Sequence, residues 1–313
     1  MWMMRKPRTV ALALQGGGAH GAFASGVLDR LLETGFVPDR VSGVSSGALL
    51  GTMLAQGWAA GGPGGARAAI ARLWERVAQA QAVSPLQNGP LERFLWGPDL
   101  SRNPVWQGLE TAMRFFSPAQ LNPLGHNPLR AVIADLLLPD LLASPAALRL
   151  TVGATDVETG EAVLFGNEEI TVDVLLASAC LPFVFPAVEI GGRAFWDGAY
   201  SGNPPLAPLL LPEPPDELVL IRAQPRRRRG VPRNHEEIFN RVNEIAFQGV
   251  LERELAALPS SVRVRSYDAD EALAGLPISS KLYAEDGFLR ALHEAGREAA
   301  RKREEEAPPL AAE

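Results

Sequence analysis

The chain has 313 residues, 47% of them hydrophobic and 21% charged, with a net charge of −6. That leaves room for one large domain or two, with ample apolar side chains for a core. The negative balance excludes nucleic acid as the main partner, and a lone cysteine, Cys180, excludes an intrachain disulfide framework.

Met1 to Arg8 is basic, but the apolar run behind it stops at Gln15, too soon for a secretory leader. No stretch reaches the roughly 18–20 apolar residues of a membrane span. The expectation is a cytoplasmic, soluble protein that meets any membrane or lipid surface from outside. Val10 to Leu14 reads as a strand and ends in Gln15-Gly16-Gly17-Gly18-Ala19-His20-Gly21. From Ala22 to Thr34, the spacing of Phe23, Val27, Leu28, Leu31 and Leu32 predicts a helix that Gly35 stops. A second strand then runs into Gly43-Val44-Ser45-Ser46-Gly47. Ala48 to Trp58 reads as a helix, Gly61 to Gly65 as a break, and Ala66 to Gln81 as another helix.

Residues 82–128 are rich in proline, asparagine and aromatics, including Phe94, Trp96, Trp106, Phe115 and Phe116. They read as an irregular helical cap whose aromatics either form its own core or face acyl chains and lipid. Arg93, Arg102 and Arg114 would then lie near head groups. Leu148 to Ala154 and Ala162 to Phe165 read as strands, and Val172 to Cys180 as a helix. Gly191-Gly192 between Val188–Ile190 and Ala194–Trp196 is a two-residue hairpin signal that places Asp197 at a strand end. Leu218 to Ile221 reads as a strand buried on both faces. Arg226 to Arg229 is a basic loop, solvated or able to steer anionic head groups. His235 to Leu258 reads as a long helix with a stripe of Ile238, Val242 and Ile245. Val262 to Val264 would be a last strand, and Gly287 to Glu306 a charged helix packing on the body or on a second subunit. There is no internal repeat, and no metal or cofactor is expected.

Two short pieces carry chemistry. Gly43-Val44-Ser45-Ser46-Gly47 fits G-x-S-x-G, in which a serine sits on a strained strand-to-helix turn. Gly43 and Gly47 flank it because a β-carbon there would strike neighbouring backbone. Upstream, Gly16, Gly17 and Gly18 leave backbone N–H groups unobstructed, as an oxyanion hole requires. Together the two pieces point to acyl transfer.

With Asp197-Gly198-Ala199 and the block Ala177-Ser178 to Phe185-Pro186, these pieces resemble the patatin-like phospholipases over roughly Val10 to Pro205. The resemblance implies an α/β fold: a three-layer sandwich whose central, mostly parallel sheet lies between helices, with a helical cap insertion. It implies one domain over 1–313, with core motifs at about 10–205, the cap at about 82–128 and a C-terminal helical region at about 234–306. It further implies a Ser–Asp dyad, with Ser45 as nucleophile, Asp197 as base and Gly16, Gly17 and Gly18 as the oxyanion hole. Gly21, Gly43, Gly47 and Gly198 support these motifs. His20 stands where the family often carries Arg or Lys, and reads as structural or as a loop-orienting hydrogen bonder. The implied partners are a lipid or polyester substrate and a peripheral membrane or granule surface, with homo-oligomerisation open.

Four alternatives stand beside this reading, one of them a catalytically inactive scaffold. An intracellular polyhydroxyalkanoate depolymerase of the same type cleaves the same bond. A Ser-Asp-His triad is possible in order, because His235 and His293 follow Asp197. A nucleotide-binding module would use Gly16, Gly18 and Gly21 as G-x-G-x-x-G, but Asp39 precedes the second strand instead of ending it.

Overall fold

Alternation of large and small apolar residues along Val10–Leu14 sets the layering. Leu12 and Leu14, with Val219 and Ile221, enter one core cluster, while Ala11 and Ala13, with Leu218 and Leu220, enter another on the opposite face. The computed structural model describes residues 8–306 apart from Arg229 and Asn234, so most of the basic N-terminal stretch and the tail beyond Glu306 lie outside the described residues.

Strands β1 (Val10–Leu14), β2 (Arg40–Gly43), β3 (Arg149–Asp156), β4 (Ala162–Gly166), β5 (Val188–Ile190), β6 (Arg193–Asp197), β7 (Glu217–Arg222) and β8 (Arg263–Asp268) form one sheet. Its order is β5-β6-β3-β2-β1-β7-β8, with β4 also on β3. From β3 to β8 the path is parallel, whereas β4 and β6 join β3 antiparallel and β5 hairpins onto β6. Gly191 and Gly192, at φ 58° and 78°, make that hairpin turn as expected.

Helices α1 (Gly21–Glu33), α2 (Ser46–Ala82) and α10 (Asp286–Glu306) cover one face. Helix α9 (His235–Ala256) covers the other through Leu251. The fold is therefore the expected α/β sandwich. Between α2 and β3 the chain forms α3 (Pro90–Trp96), α4 (Pro104–Met113), α5 (Pro118–Leu121), α6 (Pro128–Leu136) and α7 (Pro139–Leu142); α8 (Val172–Ser178) follows β4. Among the described residues no helix is long and apolar enough to cross a membrane.

Three local readings change. The expected break at Gly61 to Gly65 is a kink inside a longer helical run, with non-helical angles at Gly61 and Gly62 only. The stripe Ile238, Val242 and Ile245 on α9 faces solvent, while Asn240, Glu244, Phe247 and Leu251 point inward. The inner face was hidden by two buried polar residues that have ionic and hydrogen-bonding partners. Arg226 and Arg228 are ion-paired, with Asp268 and Glu244 respectively.

Helix α10 packs on the body, against α1. A β-carbon on Gly26 would strike the His293 carbonyl, and one on Gly296 would strike that of Phe23, so the two helices touch backbone to backbone. Arg297 pairs with Asp29 and Glu33, and Arg30 with Glu304, along the rim. Gly26→Val should therefore pry the helices apart, cost about 2–3 kcal/mol and lower the midpoint of urea unfolding; an unchanged midpoint would refute this contact.

Candidate active site

Strand β2 ends at Gly43 and helix α2 begins at Ser46, so Val44 and Ser45 must turn the chain within two residues. Ser45 does so at φ 55° and ψ −127°, the one non-glycine residue with positive φ among the described residues. Such angles are costly, and they persist only where the surroundings enforce them. A β-carbon on Gly43 would strike the Gly47 carbonyl, and one on Gly47 would strike the Leu14 carbonyl. The tight turn thus requires both glycines. The Ser45 amide is held from behind by the carbonyl and hydroxyl of Ser178, at 3.1 and 3.0 Å. Ser178 in turn donates its hydroxyl to the Gly153 carbonyl at 2.7 Å.

Asp197 arrives from the other direction as the last residue of β6. Its backbone N–H donates to the Cys180 carbonyl at 2.8 Å, and its own carbonyl accepts from Thr155 Oγ1 at 2.8 Å. The carboxyl is buried and caps the following turn, accepting the Ala199 N–H at 2.9 Å. Burial pushes its pKa up to about 6, while hydrogen bonds from Ala199 and the Ser45 hydroxyl pull it down. The structure therefore brings Ser45 and Asp197 together. Burial, and then the nearby Asp197 charge, push the Cys180 thiol up to about 12, so it stays a protonated, packed group. Val44, Ala199, Tyr200 and Phe247 form an apolar cluster beside the pair.

The glycine loop runs between β1 and α1. Gly16 donates its amide to Asn203 Oδ1 at 2.8 Å, and Gly17 donates to Ser46 Oγ at 3.0 Å. Gln224 Nε2 donates to the Gly16 carbonyl at 2.8 Å, and Gln15 Oε1 accepts the amides of Ala223 and Gln224, both at 3.0 Å. Gly18 takes φ +60°, and a β-carbon there would strike the Lys281 carbonyl. A single helical turn, Gly18–His20, leads into α1. His20 is buried, and its Nε2 shares a 2.8 Å hydrogen bond with Ser280 Oγ. Burial, with Lys281 and Arg228 nearby, pushes its pKa down to about 3, so the ring is neutral. His20 thus orients the loop, as expected.

Several supporting groups escaped the sequence reading. Ser178 sat inside a quoted motif without a role. Asn203, Gln224 and Ser46 reach the loop by hydrogen bonds that no local pattern announces. Of the alternative partners, His293 bonds Ser25 Oγ at 2.9 Å, on α1. The side chain of His235 lies outside the described residues. Asp39 is tied to Arg40 at 2.7 Å. Among the described residues, no group of three or more His, Cys, Asp or Glu is arranged to hold a metal ion.

Sheet order, elbow, buried aspartate and glycine loop together define one site at the strand ends of an α/β fold. Residues 12–210 match the family described as Patatin-like phospholipase, and the chain belongs to that family. Solved structures similar to this chain include VipD from Legionella pneumophila, at 14% identity and TM-score 0.37, over 95% of this chain and 66% of VipD. ExoU, in its complex with SpcU from the type III secretion system of Pseudomonas aeruginosa, matches at 19% identity and TM-score 0.40, over 96% of this chain and 52% of ExoU. A structure described as the type III effector protein ExoU matches at 17% identity and TM-score 0.40, over 96% of this chain and 53% of that one. The chain thus spans about half the length of ExoU and 66% of VipD.

A buried carboxylate with a raised pKa is a liability to stability. Folded Asp197 keeps its proton to about pH 6, whereas the unfolded chain releases it near the ordinary value of 3.8. Between these values the native state binds more protons, so stability falls as pH rises through the window. Asp197→Asn removes the penalty. The variant should melt above the wild type at pH 8, by an amount equivalent to about 2–3 kcal/mol, and the gap should close below pH 4. Equal melting curves at pH 8 would refute the buried charge.

Proposed function

We propose that this protein is a serine acyl hydrolase that cleaves carboxylic esters of lipids, as a phospholipase A or lipid esterase does. The observation that carries the proposal is the meeting of Ser45, on its strained elbow, with the buried Asp197. In this reading Ser45 Oγ attacks the ester carbonyl carbon while Asp197 takes the hydroxyl proton. Collapse of the tetrahedral intermediate expels the alcohol, which receives that proton, and leaves an acyl-enzyme. Water, deprotonated by Asp197, then attacks the acyl carbon; the fatty acid departs and Ser45 regains its proton.

An ordinary aspartate is a weak base for a serine. Burial without a facing cation supports the reading, because it brings the base closer to neutral pH. The loop Gly16, Gly17 and Gly18 would hold the oxyanion. We assign the leading donor to the Gly18 amide, at the start of a helical turn, because the amides of Gly16 and Gly17 already hold Asn203 and Ser46. The cluster of Val44, Ala199, Tyr200 and Phe247 would receive the acyl chain. The proposed setting is cytoplasmic, with the enzyme peripheral at a lipid surface.

Labelling with a fluorophosphonate should add one adduct to wild type by intact mass and none to Ser45→Ala. Asp197→Asn should lose at least about 10³-fold in kcat, and wild-type kcat/KM should fall as pH drops through about 6, where Asp197 takes up its proton. Labelling that persists in Ser45→Ala would overturn the proposal. A panel of phospholipids, acylglycerols and polyhydroxyalkanoate then identifies the substrate.

Gly17→Ala tests the loop. The added methyl would sit 2.6 Å from the Ala223 carbonyl oxygen, so the loop must shift. Turnover should fall by about 10²-fold with KM little changed; an unchanged kcat would remove the loop from the mechanism.

A further inference from the structure

The cap differs from the rest of the molecule in how little it buries. Helices α3 and α5 bury no residue at all, and α4 buries only Trp106. Phe94, Phe115 and Leu124 are 87%, 77% and 93% exposed, and Leu91, Leu95 and Phe116 lie beside them in sequence, also exposed. Scattered surface apolar residues need no explanation, but a concentration of large ones marks an interaction site. These residues are spread over short helices and the turn after them, not gathered in one helical stripe. That distribution suits a fluid partner better than a groove-filling helix.

Charge narrows the partner further. Over residues 83–127, Arg93, Arg102 and Arg114 balance Glu92, Asp99 and Glu110, with no lysine. Arg93 is paired with Glu285 at 3.1 Å, and Arg102 with Asp99 at 3.8 Å. The segment is thus neutral, in a chain of net charge −6. An anionic bilayer would repel such a chain, whereas a zwitterionic one admits apolar side chains without an electrostatic cost.

The cap is also tied to the glycine loop through one strap. Leu100 donates its amide to Ser279 Oγ at 3.0 Å, and Gln87 Nε2 donates to the Leu282 carbonyl at 3.0 Å. Leu100 and Trp106 pack on Tyr283. On its other side the strap holds the loop: Ser280 bonds His20, and the Lys281 carbonyl abuts Gly18. We propose that residues 83–124 dock the protein on a zwitterionic lipid surface, and that the strap 278–283 carries that contact to the glycine loop. This deepens the lipid-ester reading and rests on it for the nature of the partner.

Docking is tested in the Ser45→Ala protein, which leaves vesicles intact. It should float with phosphatidylcholine vesicles equally at low and high salt, with little gain from added phosphatidylglycerol. Phe94→Ser, Phe115→Ser and Leu124→Ser together should lower that partitioning by at least about tenfold. In the wild-type background the same triple variant should keep its circular dichroism and hydrolyse soluble p-nitrophenyl butyrate within about twofold of wild type. Ser279→Ala should bind vesicles and cleave the soluble ester normally, yet lose the stimulation of turnover by added vesicles.

Unchanged flotation of the triple variant would overturn the docking surface. So would binding that requires phosphatidylglycerol and vanishes in salt, or a triple variant that merely dissociates a dimer. Full vesicle stimulation in Ser279→Ala would overturn the strap's role. Intact flotation with no ester cleaved by wild type would sink the hydrolase reading and leave docking standing.

Discussion

The whole site depends on a turn that Ser45 would not adopt unaided. Positive φ with extended ψ costs of order 1–3 kcal/mol for a residue with a β-carbon. The chain enforces it from three sides. Gly43 and Gly47 bring the ends of β2 and α2 within backbone contact of each other and of β1. Ser178, at the end of α8, takes the Ser45 amide with two acceptors and anchors itself on β3. The strain is thus balanced by contacts among elements drawn from three distant parts of the chain, so the turn exists only in the folded protein.

Charge is distributed unequally on the two sides of the glycine loop. Around Asp197 the neighbours are an amide, a hydroxyl, a neutral thiol and apolar side chains. Behind the loop lies a buried ionic knot. Glu244 is held down at about 2 despite burial, by hydrogen bonding to Arg228 and the charges of Lys281 and Arg228. Lys281 Nζ also donates to Asn240 Oδ1 at 2.9 Å. Burial, helped by Lys281 and Arg228, keeps His20 neutral, and the knot fixes Lys281, whose backbone shapes Gly18. A satisfied ionic cluster is rigid, since breaking one partner would strand a buried charge. Here it braces the loop without placing a cation on Asp197, which would pull that carboxylate's pKa down.

What was legible in the sequence was what glycine chemistry and short periodicity encode. Gly43 and Gly47, the loop Gly16 to Gly18 and the hairpin Gly191-Gly192 mark turns that only a residue without a β-carbon permits, and each lies where it was read. Helix α1 followed from its apolar spacing. The rest was hidden for physical reasons. Helices α6 and α7 each begin at a proline, Pro128 and Pro139, which reads as a breaker although it sits comfortably in a first turn. The inner face of α9 carries Asn240 and Glu244, buried because their partners lie some 16 to 41 residues away in the chain. Asn203 meets Gly16 across 187 residues, and Ser178 meets Ser45 across 133. No local window contains such pairs.

Distance along the chain also explains how Ser45 and Asp197 come into register. Strand β3 is paired to both of their strands. Its Val152 lies opposite Gly43, two residues before the serine, and its Ala154 lies opposite Asp197 itself. One short stretch of β3 therefore spaces the two residues through backbone hydrogen bonds. Gly153, between them, presents its carbonyl to Ser178, and Gly198 packs against it so closely that a β-carbon on Gly198 would strike that carbonyl. Backbone pairing tolerates side-chain substitution far better than a side-chain contact does. A site built this way can vary its apolar walls while the separation of serine and aspartate stays fixed by the sheet.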